Sequence, residues 1–161
     1  MQKIVTYLWF DHQAEEAARF YTSLFDNSRI VQIARYPEGS PGGLAGRVMS
    51  VKFELDGQEF LALNGGPRFK FTEAISLLVN CVDQEEVDRL WDKLTADGGS
   101  PSQCGWLKDR YGLSWQIIPT ALGELLADPD PGRAQRATAA ILQMQKIDIE
   151  ALRRAADGIT A

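Results

Sequence analysis

The chain has one histidine and two cysteines among 161 residues, and each scarcity removes a class of chemistry. A lone imidazole cannot by itself build a metal centre, which needs several converging ligands. Two thiols are too few for the disulfide framework of a small secreted domain. A chain of this length can bury a core without one, so two reduced cysteines in a cytoplasmic protein are the expectation. Positive charge is also short: 17 Lys and Arg face 22 Asp and Glu, for a net charge of −5. An acidic surface is repelled by nucleic acid and by anionic membrane, and neither is expected as a partner. No apolar run approaches the roughly 18 residues that a spanning helix requires. The opening MQKIVTYLWF lacks a basic start, an apolar middle and a cleavage site, so it reads as a strand and not a signal peptide. Neither glycine-rich phosphate pattern occurs, and Asn64-Gly65-Gly66 opens no helix that could cradle a nucleotide.

What the chain does have is a globular balance, 45% hydrophobic and 24% charged, in the length of one domain. Ile4 to Phe10 is apolar on both faces and reads as a covered strand. Ala14 to Asp26 places Ala17, Phe20, Tyr21 and Leu24 at helical spacing, with Glu15 and Glu16 in the first turn. Ile30 to Tyr36 is a second strand, followed by a long loop over Pro37 to Gly43. Arg47 to Leu55 and Glu59 to Leu63 alternate around Asp56-Gly57, a hairpin signal. The order then restarts: strand Ile75 to Val82, helix Gln84 to Ala96, strand Ser102 to Leu107, a break over Lys108 to Gly112, and strand Leu113 to Ile118.

A shift of 70 residues lays Glu85-Glu86-Val87-Asp88-Arg89-Leu90-Trp91 over Glu15-Glu16-Ala17-Ala18-Arg19-Phe20-Tyr21, with Leu94 on Leu24. Matched helices inside a matched strand order predict an α+β domain over 1–161 built by duplication. Module one spans 1–66, module two 74–119, and a helical tail 120–158. The tail reads as helices over Pro119 to Ala127 and Arg133 to Lys146, then a short one capped by Asp148, with an apolar stripe that must pack on its own sheet or on a second subunit.

The front segment FDHQAEEAARFYTSLF, with FLALNGGP, CGWLKDRYGLSWQIIP and AILQMQKIDIEAL, resembles the PhnB-like branch of the vicinal oxygen chelate (glyoxalase/bleomycin-resistance) superfamily. That branch often carries a demethylubiquinone methyltransferase-like name. The resemblance implies paired βαβββ modules forming a cupped, mixed eight-stranded sheet, a homodimer, and a small-molecule cavity. It implies no settled reaction, since the superfamily hosts many. Its enzymes generally hold a divalent metal with inward His and Glu. The matching positions here fall near Thr6 or Ile4, Ser76, Gln116, and Leu61 or Ala62, a neutral set with little affinity for such an ion, so no cofactor and no metal site is expected. Methyl transfer is not expected either, because a methyl-donor site typically has a glycine-rich first turn, and Asp11-His12-Gln13 has no glycine.

His12, in the turn after the first strand, could serve as a general base but reads more simply as a solvated loop residue. Cys104 has Lys108 and Arg110 nearby in sequence, which could activate a thiol, although burial as a small packing residue accounts for it as well. Cys81, inside an apolar strand, reads as structural. Trp9, Trp106 and Trp115 supply candidate aromatic walls, and Asn64 and Gln116 candidate polar groups, for a small-molecule pocket. Three readings follow. The first is a metal-free small-molecule-binding protein. The second is a metal-dependent lyase, isomerase or dioxygenase-type enzyme whose ligands come from His12, Glu54, Glu59 or Gln116. The third is a non-catalytic dimeric interaction protein that uses its tail.

Overall fold

The computed structural model describes residues 1–159, which fall into two compact units, the first ending at Phe71 and the second beginning at Thr72. Unit one runs β1 (Thr6–Phe10), α1 (Ala14–Leu24), β2 (Arg29–Arg35), β3 (Val48–Leu55) and β4 (Gln58–Asn64). Its sheet has the order β1-β4-β3-β2, with β1 and β4 parallel and the other pairs antiparallel. Unit two repeats this as β5 (Ser76–Cys81), α2 (Gln84–Thr95), β6 (Ser100–Pro101), β7 (Trp106–Lys108) and β8 (Ser114–Pro119), in the order β5-β8-β7-β6 with β5 and β8 parallel. The eight strands expected of paired βαβββ modules are present, as two four-stranded mixed sheets in one α+β chain. No helix among the described residues is long and apolar enough to cross a membrane.

Alternation explains each sheet. In β3, Val51, Phe53 and Leu55 are buried, and so are Phe60 and Ala62 of β4 and Leu8 and Phe10 of β1. This side receives α1 through Ala14, Ala17, Ala18, Tyr21 and Leu24. In unit two, Leu107, Trp115, Ile117 and Cys81 form the equivalent side, against Val87, Leu90, Trp91 and Leu94 of α2. The Asp56-Gly57 turn has both residues at positive φ, 47° and 77°, the pairing that suits the twist of a two-residue hairpin.

The repeat is offset by 70 residues in the helices but by 71 in the first strand of each unit, because three residues link β1 to α1 and two link β5 to α2. Thr6 pairs with buried Phe60, on the helix side of its sheet, whereas Ser76 lies on the opposite side of β5 from buried Cys81. The strand counterpart of Ser76 is therefore Val5, and that of Gln116 is Leu61. A one-residue slip in a strand moves a side chain to the other face.

Two boundaries differ from the sequence reading. The expected strand over Ser102 to Leu107 is interrupted, since Cys104 and Gly105 take φ of 59° and 84°, leaving β6 and β7 as separate short strands. The tail forms α3 (Thr120–Leu126), α4 (Pro131–Ile141) and α5 (Ile149–Ala156), with α4 ending before Lys146. Beyond α4 the chain turns, and the Met144 and Gln145 carbonyls accept from Cys104 N and Gly105 N, each at 2.8 Å. Asp148 caps α5 as expected, accepting from Ala151 N at 3.0 Å.

The tail packs on its own unit. Leu122, Leu125, Ala137, Ile141, Ile147, Leu152 and Ala156 form one buried cluster. Gln84, at the start of α2, donates to Ile147 O at 3.0 Å and accepts from Ile149 N at 2.8 Å. The Gln84 amide and then Lys146 hold the Asp88 carboxyl below the usual carboxylate range.

Candidate functional site

In unit one, the ends of β1 and β4 continue side by side beyond the sheet. Gly65 N donates to Phe10 O at 2.8 Å and Gly66 N to Asp11 O at 3.1 Å, which brings Asp11, His12 and Asn64 together. The long loop after β2 is closed at its base by two backbone bonds, Tyr36 N to Arg47 O and Gly46 N to Tyr36 O, each 2.9 Å. These two features border a cleft of about 590 Å³ lined by Asp11, His12, Glu15, Tyr36, Arg47 and Asn64, among others. A cleft of that volume falls within the range of small-molecule sites.

Its charges are unequally engaged. Glu15 pairs with Arg19 at 2.9 Å, one turn along α1. His12 is 77% exposed, and its Nδ1 lies 3.7 Å from an Asp11 oxygen, a loose surface pair. The Arg47 guanidinium makes no hydrogen bond or ion pair among the described residues; only its backbone is engaged. Asn64 is the fixed point of the cleft. Its Oδ1 accepts from Ala14 N at 2.8 Å and its Nδ2 donates to Val48 O at 3.1 Å. Gln13, the cap residue of α1, makes no side-chain cap bond, so Asn64 satisfies that helix start from the neighbouring strand.

The other candidates are placed as follows. Trp9 sits on the side of β1 opposite Leu8 and Phe10 and donates its indole N–H to Gly66 O at 2.9 Å, with Phe69 edge-on at 4.9 Å. Its ring occupies the space that a side chain at Gly65 would need, so it braces the Asn64-Gly65-Gly66 turn from behind. Trp106, Trp115 and Gln116 are in unit two. Trp115 is core, 1% exposed, with its indole N–H bonded to Asp109. Trp106 is half-buried on the open side of the sheet, beside Gln116 in register. Cys104 packs against the tail cluster, while Lys108 pairs with Glu73 and Arg110 with Asp97, so the two cations near it in sequence are engaged elsewhere. Burial pushes the Cys81 thiol up to about 12, which leaves it without thiolate character at neutral pH. Sequence reasoning missed Arg47 and Tyr36, and the closure of the loop base is what delivers them.

A family model described as 3-demethylubiquinone-9 3-methyltransferase matches residues 2–118. The chain belongs to this family. Among solved structures, a PhnB protein from Bacillus cereus is 44% identical, with a TM-score of 0.67 over 73% of this chain and 99% of that one. A protein from Pseudomonas aeruginosa, 20% identical, shares the fold with a TM-score of 0.62 over 74% of this chain and 98% of that one. FosX, a fosfomycin resistance protein from Listeria monocytogenes, shares it at 14% identity, with a TM-score of 0.53 over 79% and 98%. No curated protein matches the chain. This PhnB-like chain is thus a member of the vicinal oxygen chelate superfamily. The family model stops at 118, so α3, α4 and α5 lie outside it, as does the segment AILQMQKIDIEAL.

The superfamily's divalent metal does not fit the residues at the corresponding strand positions. In unit two Gln116 Nε2 donates to Ser76 Oγ at 2.9 Å, a neutral pair already bonded to itself, and unit one has Val5 and Leu61 there. Nor do the alternative ligands of unit one converge. Glu54 and Glu59 face each other at the hairpin end of β3 and β4, paired with Arg29 and Lys52. His12 follows Phe10, which is opposite Asn64, five residues and roughly 16 Å along β4 from Glu59.

Proposed function

We propose that this PhnB-like protein binds a small polar organic molecule carrying an anionic group, in the cleft beside Arg47, without recruiting a divalent metal. The observation that carries this reading is the unpaired Arg47 guanidinium at a cleft of about 590 Å³. A guanidinium offers a planar fork of donors suited to a carboxylate or phosphate. Tyr36 supplies a ring and a hydroxyl, Asp11 and Glu15 meet the polar end of the ligand, and Asn64 keeps the floor rigid. The neutral Ser76–Gln116 pair supports metal-free binding. The family label names a methyl transfer, but the turn from β1 to α1 has no glycine to seat a methyl donor, and binding describes the cleft better.

A thermal-shift screen of carboxylates and phosphates tests this. At least one compound is expected to stabilise the protein, and Arg47→Ala to weaken it by about 1.5–3 kcal/mol, tenfold or more, as for a lost charged hydrogen bond. Arg29→Ala, paired with Glu54 at the far end of β3 and outside the cleft, is expected to leave it unchanged. A panel without a hit, or equal binding by Arg47→Ala, ends the proposal.

The same reading includes a homodimer and a cytoplasmic setting. Two unpaired cysteines, Cys81 and Cys104, support a reducing compartment. Large apolar side chains stand exposed at matching places in the repeat, Ile4 and Tyr7 in unit one, Ile75 and Leu78 in unit two, and such surface calls for a cover. Sedimentation equilibrium is expected to give twice the chain mass for the wild type and a shift towards monomer for Tyr7→Glu/Leu78→Glu. A wild-type monomer at micromolar concentration would refute it.

A further inference from the structure

On the open side of the second sheet, register places one residue from each strand in a single row: Ser100 of β6, Lys108 of β7, Ser114 of β8 and Ser76 of β5. Directly paired residues on one face of a sheet stand about 5 Å apart, so the row sets Lys108 between Ser100 and Ser114. Ser114 is 1% exposed, and its Oγ has no hydrogen-bond partner among the described residues. Leaving a hydroxyl buried and unpaired is costly, and native structures rarely do so without a water, an ion or a ligand to satisfy it. Ser114 lines a recess of about 270 Å³ whose other walls include Ser100, Ser102, Trp106, Lys108 and Glu73. That is space for about nine waters at ~30 Å³ each, or for a molecule of a few carbons.

Among the described residues Lys108 is the single cation lining the recess, and it is paired with Glu73. The pair is half-exposed, so exchanging the Glu73 carboxylate for another costs little. One ammonium selects a monoanion, the Trp106 ring takes a short carbon stem, and the buried hydroxyl needs a polar group close to the anionic one.

We propose that this recess binds short 2-hydroxy monocarboxylic acids, with the carboxylate replacing Glu73 on Lys108 and the ligand hydroxyl bonded to Ser114 Oγ. The site belongs to unit two alone and does not rest on the Arg47 cleft.

The test is an NMR titration of the full-length, isotopically labelled protein with lactate and glycolate, against propionate and acetate, up to about 10 mM. Lactate is expected to give saturable shifts at the amides of Ser100, Ser102, Lys108 and Ser114 and at the Trp106 indole, and to bind about tenfold tighter than propionate, as one satisfied buried hydroxyl allows. Ser114→Ala should erase that preference while leaving propionate binding in place. Lys108→Met should weaken both acids at least tenfold, the loss expected for a charged partner. The proposal is overturned by a lack of saturable shifts, by shifts confined to residues around Arg47, or by a lactate preference that survives Ser114→Ala. Both substitutions are small and spare the α2 side of the sheet; a variant that misfolds is replaced by Ser114→Cys or Lys108→Gln, with the same expected outcomes.

Discussion

Replacing Asp109 with alanine is expected to lower stability by about 3–5 kcal/mol, and the melting temperature by about 10 °C. Asp109 is 2% exposed, in the turn between β7 and β8. Its Oδ1 accepts from Tyr111 N at 2.8 Å and Leu113 N at 3.0 Å, and its Oδ2 from the Trp115 indole at 3.0 Å. One side chain therefore sets the turn and anchors the largest fully buried residue of unit two. Removing it strands two backbone N–H groups and an indole N–H, each buried donor costing about 1–3 kcal/mol when unmatched, with partial relief from water. Asp109→Asn keeps the volume and one acceptor but turns an NH₂ towards donors, so a smaller loss of about 1.5–3 kcal/mol is expected. Urea unfolding followed by tryptophan fluorescence measures both. A loss below about 1 kcal/mol for the alanine variant would mean the carboxylate does not organise this turn.

Asp109 also marks where sequence reading stops. Lys108 to Gly112 is legible as a break, because charged residues and a glycine interrupt the alternation, yet nothing local says that the aspartate turns inward. That depends on Trp115 arriving six residues later with a donor to satisfy. Trp115 was read as a pocket wall, whereas it alternates with Ser114 and Gln116 alongside Ile117 and lies on the core face, 1% exposed. The duplication was read from helices, whose side-chain pattern is coarse, and the strands carry it at a different offset. A linker one residue shorter changes which face a strand position occupies, and no helical comparison reports that. The helices and the Asp56-Gly57 hairpin came through because their signals are local.

The cleft in unit one divides in the same way. His12 stood out by being unique and Asn64 by ending an apolar strand, both properties of the residue and its neighbours. Arg47 and Tyr36 are separated by a loop with no periodicity, and only the backbone pairing at its base places them beside the β1–α1 turn. Asn64 was read as a pocket group, and the structure gives it two backbone ties together with a place in the cleft wall. A residue that holds a helix start cannot move freely towards a ligand. Variation in what the cleft accepts therefore has to come from Arg47, Tyr36 and the loop between them.

The tail offers the second large effect. Gly105→Ala is expected to cost about 2–4 kcal/mol and to loosen the tail helices from the second sheet. Gly105 has φ of 84°, where a side chain adds about 1–2 kcal/mol of backbone strain. A Cβ there would meet Ile118 Cδ1 and Ile147 Cδ1 at 2.9 Å and Ile117 O at 3.0 Å, adding about 1–3 kcal/mol of overpacking. The position is a junction: its N–H donates to Gln145 O and its carbonyl accepts from Ile117 N, both at 2.8 Å, so sheet and tail are joined through one residue. Displacing Ile147 opens the cluster that holds Leu122, Ile141 and Leu152 together. Hydrogen exchange should show the amides of Cys104, Gly105 and α5 losing protection, and limited proteolysis should cut first between α4 and α5. Gly123→Ala is the control, because nothing lies within 4 Å of a Cβ there and its site is helical, so it should be neutral or stabilising by up to about 1 kcal/mol. If the two alanine variants melt together, the tail is not held at Gly105, and its attachment must rest on Gln84 and the Asp88–Lys146 pair instead.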